Sequence, residues 1–154
     1  MKRLSNKTRV LVADGGQALA LRNDGDAVFP NLKLVRQYSQ ENPATRDQGS
    51  DKPGRMNDSL GRRSAMEAAD WHQIAEDKFV IGLAAAMAKD LAAGEFENFI
   101  LVAPPTALGE FRKAASAALA KATVLEIDKD LTKHPVSEIE KALLKALEEA
   151  SLKA

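Results

Sequence analysis

Five cations stand within eighteen residues: Arg46, Lys52, Arg55, Arg62 and Arg63. Arginine forks bind phosphate oxygens two at a time, and lysine adds a point charge. The segment that carries most of them, Ser39 to Gly61, is rich in polar residues and holds Pro43, Gly49, Pro53, Gly54 and Gly61, with almost nothing apolar. Such a stretch cannot join a core and reads as one long loop over 39–61. Within it, Asp51-Lys52-Pro53-Gly54-Arg55 has the make-up of a turn. Arg62 and Arg63 stand near the start of the next helix, where the dipole disfavours cations but free N–H groups attract anions. These five are the candidate RNA- or phosphate-binding residues. Asp47, Asp51 and Asp58 are interleaved with them, so a solvated loop with local ion pairs, or a protein interface, fits the same composition.

Other chemistry is thinly supplied. Asp14 ends an apolar run, and Glu67 and Asp70 stand on the helix after the loop. A two-metal nuclease needs carboxylates that converge, and the strand interiors carry almost none. These acids therefore read as a turn residue and a solvated helix face. His72 and His134 are the only histidines, and neither has a His or Cys partner at ligand spacing. With no cysteine in the chain, disulfides, thiolate catalysis, Cys-ligated zinc and iron–sulfur clusters are excluded. No catalytic residue, metal or cofactor is expected.

The elements that position these residues follow from periodicity. Residues 8–13 and 18–22 are apolar runs flanking Asp14-Gly15-Gly16-Gln17, which reads as a hairpin using glycine's access to positive φ. Asn23-Asp24-Gly25-Asp26 is a second turn, and residues 32–38 form a third strand of imperfect alternation. From Arg62 to Ala93 apolar residues recur every four positions (Trp71, Ala75, Phe79, Leu83, Met87, Leu91), widened by Ile74, Ile81, Ala84 and Ala88. That is a long amphipathic helix, its first half polar enough to project beyond a sheet, with Gly94 as its C-cap. Residues 99–103 form a strand buried on both faces. Thr106 is placed to cap a helix over 107–120, residues 123–127 form the last strand, and Ser137 with Glu140 has capping-box spacing before a final helix. Pro104, Pro105 and Gly109 then fall at the C-terminal end of a buried strand, where open α/β sheets bind ligands, and Gly109 would allow a close backbone approach. The order βββαβαβα implies one α/β domain over 1–154, a mixed five-stranded sheet with helices on its faces, as in ribonuclease-H-like domains.

Composition bounds the function further. The chain has 154 residues, 45% hydrophobic and 29% charged, with 22 basic and 22 acidic side chains. Zero net charge argues against a strongly basic nucleic-acid module and a polybasic membrane binder. The charge is uneven: residues 1–32 carry +2, 33–63 carry +3, 64–109 carry −5 and 110–154 carry 0. No apolar run approaches the ~20 residues of a membrane span, and residues 1–9 do not resemble a signal peptide, so a cytoplasmic location is expected.

Three segments resemble a known family. They are Val12-Ala13-Asp14-Gly15; Arg46-Asp47 with Ser50-Asp51-Lys52-Pro53-Gly54-Arg55; and Leu101-Val102-Ala103-Pro104-Pro105 with Leu108-Gly109-Glu110-Phe111-Arg112, joined later by Lys129-Asp130-Leu131-Thr132. In this order they resemble the bacterial host attachment proteins, also described as bacterial relatives of archaeo-eukaryotic release factors. The resemblance implies a fold like the release-factor middle domain, with Asp14, Gly15, Asp51, Pro53, Gly54, Pro104, Pro105, Gly109 and Arg112 as motif residues. No reaction follows from the resemblance; together with the length and charge of the 39–61 loop it leads to the expectation of a non-enzymatic binding domain associated with the ribosome, tRNA, other RNA or a protein partner. The alternatives are a role in host-cell attachment and hydrolysis of peptidyl-tRNA or RNA. In release factors a Gly-Gly-Gln loop follows the third strand; here Gly15-Gly16-Gln17 follows the first, and 39–61 contains no such triplet.

Overall fold

A computed structural model describes residues 3–40 and 65–153. The strands are β1 (Arg9–Ala13), β2 (Gln17–Asn23), β3 (Leu32–Ser39), β4 (Phe99–Ala103) and β5 (Thr123–Asp128). They form one sheet in the order β3-β2-β1-β4-β5. β1–β2 and β2–β3 are antiparallel, and β1–β4 and β4–β5 are parallel. The helices are α1 (Ala65–Ala92), α2 (Pro105–Ala114), α3 (Ala117–Ala122) and α4 (Val136–Lys153). The α/β architecture and the mixed five-stranded sheet are as the sequence leads one to expect.

The central strands divide two cores between them. Every residue of β1 and β4 is buried. Leu11, Ala13, Leu101 and Ala103 face a layer containing Phe79, Leu83 and Met87 of α1, Phe111 of α2 and Leu119 of α3. Val10, Val12, Ile100 and Val102 face Ile139, Leu143 and Leu147 of α4. Alternation along a strand sends successive side chains to opposite faces, so a continuous apolar run marks a strand covered on both. The imperfect alternation of β3 has a local cause. Leu34 pairs with Leu21 and Arg36 with Ala20, so Val35 is an extra residue, a bulge that shifts the pattern.

Helix α1 has 28 residues, about 42 Å at ~1.5 Å per residue. Among the side chains described in it, burial begins at Phe79; Trp71 and Ile74, before it, are 37% and 44% exposed, and Ile81, after it, is 48% exposed and lies off the buried face. The expected stripe is therefore a core only in its C-terminal half. A five-residue strand spans only about 17 Å, much less than the helix, and none of the side chains described in it before Phe79 is buried. The other end closes as expected at Gly94 (φ 81). Gly94 N–H donates to Leu91 O and Glu95 N–H to Asp90 O, both at 3.0 Å, the paired bonds of a Schellman motif. This closure brings Asp90 and Glu95 together against Arg9. Arg9 donates to Asp90 Oδ2 at 2.7 Å and to Glu95 Oε1 at 3.1 Å, and its guanidinium lies 4.9 Å from the Phe96 ring centre.

Three helix starts differ from expectation. The helix expected over 107–120 begins at Pro105, with Pro104 as N-cap, so Thr106 lies inside the first turn and caps nothing. Proline suits that first position because its missing N–H is unpaired there anyway. The helix also breaks at Ala115. Ser116 starts α3 by accepting from Leu119 N–H at 3.1 Å, an alternative that serine offers a helical backbone. In α4, Ser137 follows the first helical residue, and Glu140 instead accepts from Leu32 N–H of β3 at 3.2 Å. No described helix is long and apolar enough to cross a membrane.

Candidate functional site

β1 and β4 run in parallel, and the chain leaves their C-terminal ends in opposite directions. β1 turns back into β2, while β4 continues into α2 and on to β5. Diverging connections of this kind open a crevice at the end of a sheet. The crevice measures about 430 Å³. Asp14, Gly15 and Gly16 of the β1–β2 turn form one wall, and Gln73, Glu76 and Asp77 of α1 another. Pro104, Pro105 and Thr106 at the start of α2, with Asp130 after β5, complete it.

Asp14 organises the turn. Its Oδ1 accepts from Gly16 N–H at 2.7 Å and Gln17 N–H at 2.8 Å, and its own N–H donates to Gln17 O at 2.9 Å. Neither Gly15 nor Gly16 adopts a left-handed φ, so the turn does not use the glycine freedom expected of it. An aspartate side chain closing onto the next amides replaces that device. Gly15 serves another purpose: a Cβ there would stand 2.6 Å from Glu76 Cδ, so the missing side chain lets Glu76 lie against the turn.

Thr132 links the turn to the β5–α4 connection. Its hydroxyl lies 2.9 Å from Asp14 Oδ2 and 2.8 Å from Asp130 Oδ1, and its N–H donates to Asp130 at 3.2 Å. A hydroxyl has one proton, so it donates to one of the two carboxylates at a time. Gln17 Nε2 points to the same oxygen at 3.5 Å. The Gly-Gly-Gln triplet is thus a closed hairpin turn with its glutamine directed toward Thr132. On the other side, Gln40 N–H donates to Gly16 O at 3.0 Å and Gln40 Nε2 to Gly15 O at 2.8 Å.

The sequence candidates separate into three groups. Asp14, Gly15, Pro104 and Pro105 meet at the crevice. Gly109 and Arg112 do not line it. A Cβ on Gly109 would meet nothing within 4 Å, which corrects the expected close approach. Arg112 is exposed and donates to Glu126 Oε1 from Nε at 2.8 Å, and that partner raises its pKa. Arg46, Asp51, Lys52, Pro53, Gly54, Arg55, Arg62 and Arg63 lie outside the described residues, as do the side chains of Glu67 and Asp70.

Sequence reasoning missed Gln73, Glu76 and Asp77 as crevice residues. Their i, i+3, i+4 spacing puts them on one helix face, but nothing in the sequence says that this face meets the β1–β2 turn. The finished crevice carries four carboxylates, from Asp14, Glu76, Asp77 and Asp130, beside a helix start that no side chain caps. It favours cationic or hydrogen-bonding groups and repels phosphate. Among the described residues no group of three or more His, Cys, Asp or Glu is arranged to hold a metal ion.

The family model described as bacterial archaeo-eukaryotic release factor family 12 matches residues 7–143. No curated protein matches the chain. Among solved structures, it is similar to S. cerevisiae Dom34, described as a translation termination-like factor involved in RNA quality control pathways and interacting with Hbs1. That likeness has 13% identity and a TM-score of 0.42, and covers 90% of this chain and 34% of that one. It is also similar to the archaeal translation termination factor aRF1, at 12% identity and a TM-score of 0.46, covering 94% of this chain and 40% of that one. The chain therefore spans between a third and two-fifths of the length of these structures.

Proposed function

We propose, for a chain that belongs to bacterial archaeo-eukaryotic release factor family 12, a non-enzymatic binding domain that contacts RNA of the translation apparatus through Arg46, Lys52, Arg55, Arg62 and Arg63. The observation that carries this reading is the clasp of Gln40 on Gly15 and Gly16, which sets the start of the cationic segment at the crevice end of the sheet. The chain returns to that same end through α1, on which Gln73, Glu76 and Asp77 line the crevice and Trp71 and Ile74 are 37% and 44% exposed. The crevice is acidic, so the reading assigns phosphate contacts to the five cations and none to the crevice. A hydrolase built on Gly15-Gly16-Gln17 is disfavoured, because the triplet is a closed turn rather than a reaching tip.

The test is sedimentation of a cell lysate through sucrose at low and high salt, with blotting for this protein. Co-migration with ribosomal particles at low salt, weakened at high salt, is expected because phosphate contacts release counterions. The triple variant Arg55→Glu, Arg62→Glu, Arg63→Glu should lose it. Unchanged co-migration of the variant overturns the reading. Migration of the wild type only at the top of the gradient also overturns it, and recovery in an envelope fraction would favour the attachment role.

A further inference from the structure

Given the reading of Arg46, Lys52, Arg55, Arg62 and Arg63 as RNA contacts, on which this rests, we propose that Gln40 is a positioning residue for them. It holds the root of the cationic segment on the turn at Gly15 and Gly16. The β2–β3 ladder closes with Gln17 opposite Ser39. Gln40 carries the pairing one residue further, past the end of the sheet. Its N–H donates to Gly16 O at 3.0 Å and its Nε2 to Gly15 O at 2.8 Å. One residue therefore takes both carbonyls of the glycine pair. The turn that receives them is itself fixed. Asp14 Oδ1 accepts from Gly16 N–H at 2.7 Å, and Asp14 Oδ2 lies 2.9 Å from the Thr132 hydroxyl, on a residue only 7% exposed.

The fold has little use for these bonds. Gln40 is exposed, and water replaces an exposed side-chain bond at small cost. β3 is held without it, through Leu32 and Tyr38 in the two cores. What the bonds fix is the point and direction at which the chain leaves the sheet. The other end of the segment is fixed by α1, which carries Phe79 and Val80 into the core and lays Glu76 against Gly15. The departing chain and the returning helix thus touch the same glycine.

A chain released at its root must be re-ordered when it binds, and each freed residue adds conformational entropy that binding removes. Loss of Gln40 therefore weakens binding and leaves the number of phosphate contacts unchanged. Loss of a contacting cation changes both. The dependence of affinity on salt separates the two roles, because its slope counts the phosphates neutralised.

The test is pelleting of the protein with purified ribosomal particles over a salt series. Gln40→Ala should bind about three- to tenfold more weakly at every salt concentration, with the slope of the wild type and an unchanged thermal unfolding curve. Arg55→Glu should bind more weakly with a shallower slope. The chain has no cysteine, so Gly16→Cys with Gln40→Cys supplies the only two thiols, where the backbones already meet. A Cβ at position 16 would meet only Asp14 Oδ1, at 3.7 Å. With the disulfide formed, this variant should bind like the wild type; reduced, it should bind like Gln40→Ala. Wild-type affinity in Gln40→Ala, a shallower slope for that variant, or equal binding by the oxidised and reduced pair each overturns the proposal and leaves the RNA reading standing. A wild type that does not pellet with the particles overturns the RNA reading, and this proposal falls with it.

Discussion

The guanidinium of Arg9 donates to Asp90 Oδ2 at 2.7 Å, with the two side chains only 3% and 9% exposed. The pair joins the first residue of β1 to the last turn of α1, and the Schellman closure adds Glu95 to it. Arg9→Met leaves the Asp90 carboxylate buried without its cation. Urea unfolding should show a loss of about 3–5 kcal/mol, as when one partner of a buried pair is removed. Adding Asp90→Leu should recover part of it, since no charge is then stranded. A single variant as stable as the wild type would falsify the view that this pair is desolvated.

Lys7 occupies a left-handed conformation, φ 67, that a lysine pays for and a glycine does not. Its N–H donates to Asn23 O at 2.7 Å, and a substitution leaves that bond in place. Lys7→Gly should raise stability by about 0.5–1 kcal/mol, the relief of strain less the greater freedom of glycine in the unfolded chain. Lys7→Ala keeps the strain and should show no such gain. Thermal unfolding of the two variants side by side decides the matter.

Two glycines should respond to alanine with opposite signs. At Gly25 a Cβ would sit 2.0 Å from the backbone oxygen of Phe29, so the turn must open, at a cost of about 1–3 kcal/mol or more. At Gly109 a Cβ meets nothing, and the residue lies inside α2. Gly109→Ala should stabilise by about 0.5–1 kcal/mol through helix propensity alone. Chemical denaturation of both gives the two signs in one experiment.

Asp24 accepts from Arg22 Nε at 2.5 Å, and this bond, aided by the charges of Arg22 and Lys33, holds its pKa below the ordinary value of 3.8. A depressed carboxyl stabilises the fold above its unfolded pKa, and the contribution disappears as pH falls through the folded value. The contribution of this pair should therefore be fully present and independent of pH near neutrality, and be lost only in acid, as pH falls below the ordinary aspartate value and through the depressed one. Carboxyl-detected NMR titration should place the Asp24 midpoint below that of an ordinary aspartate. Arg22→Gln should move it upward, and an unmoved midpoint would assign the depression to something other than Arg22.

The strands and helices were legible because each reported its own environment. The unbroken apolar runs of β1 and β4 announced strands covered on both faces, and Gly94 announced the end of α1. Legibility failed where the decision was tertiary. Trp71 and Ile74 keep the helical period of a core residue but are not buried. Glu140 has capping-box spacing and spends its carboxylate on β3 instead. At the crevice, Pro104 and Pro105 were readable from their strand end, and Asp14 was readable as a turn residue but not as part of a crevice. Glu76 and Asp77 were not readable, since only the folded chain brings α1 to Gly15. Gly109 failed for a related reason: a helix interior tolerates a glycine that no neighbour requires.

The register of β1 against β4, with Val10 beside Ile100, sets when the protein can become itself. During synthesis the β1–β2–β3 meander leaves the exit tunnel long before β4 exists, so β1 waits with one apolar edge unmatched. Closure of the sheet centre depends on a contact distant in sequence, the type that slows folding most. A chain that ends just before Phe99 holds the meander and all of α1 without the strand that joins them, and stays open to chaperones and proteases. A chain extended far enough for Ala103 to leave the tunnel presents the register partner of β1. Acquisition of protease resistance along a series of arrested chains should therefore be a step at β4, rather than a gradual rise.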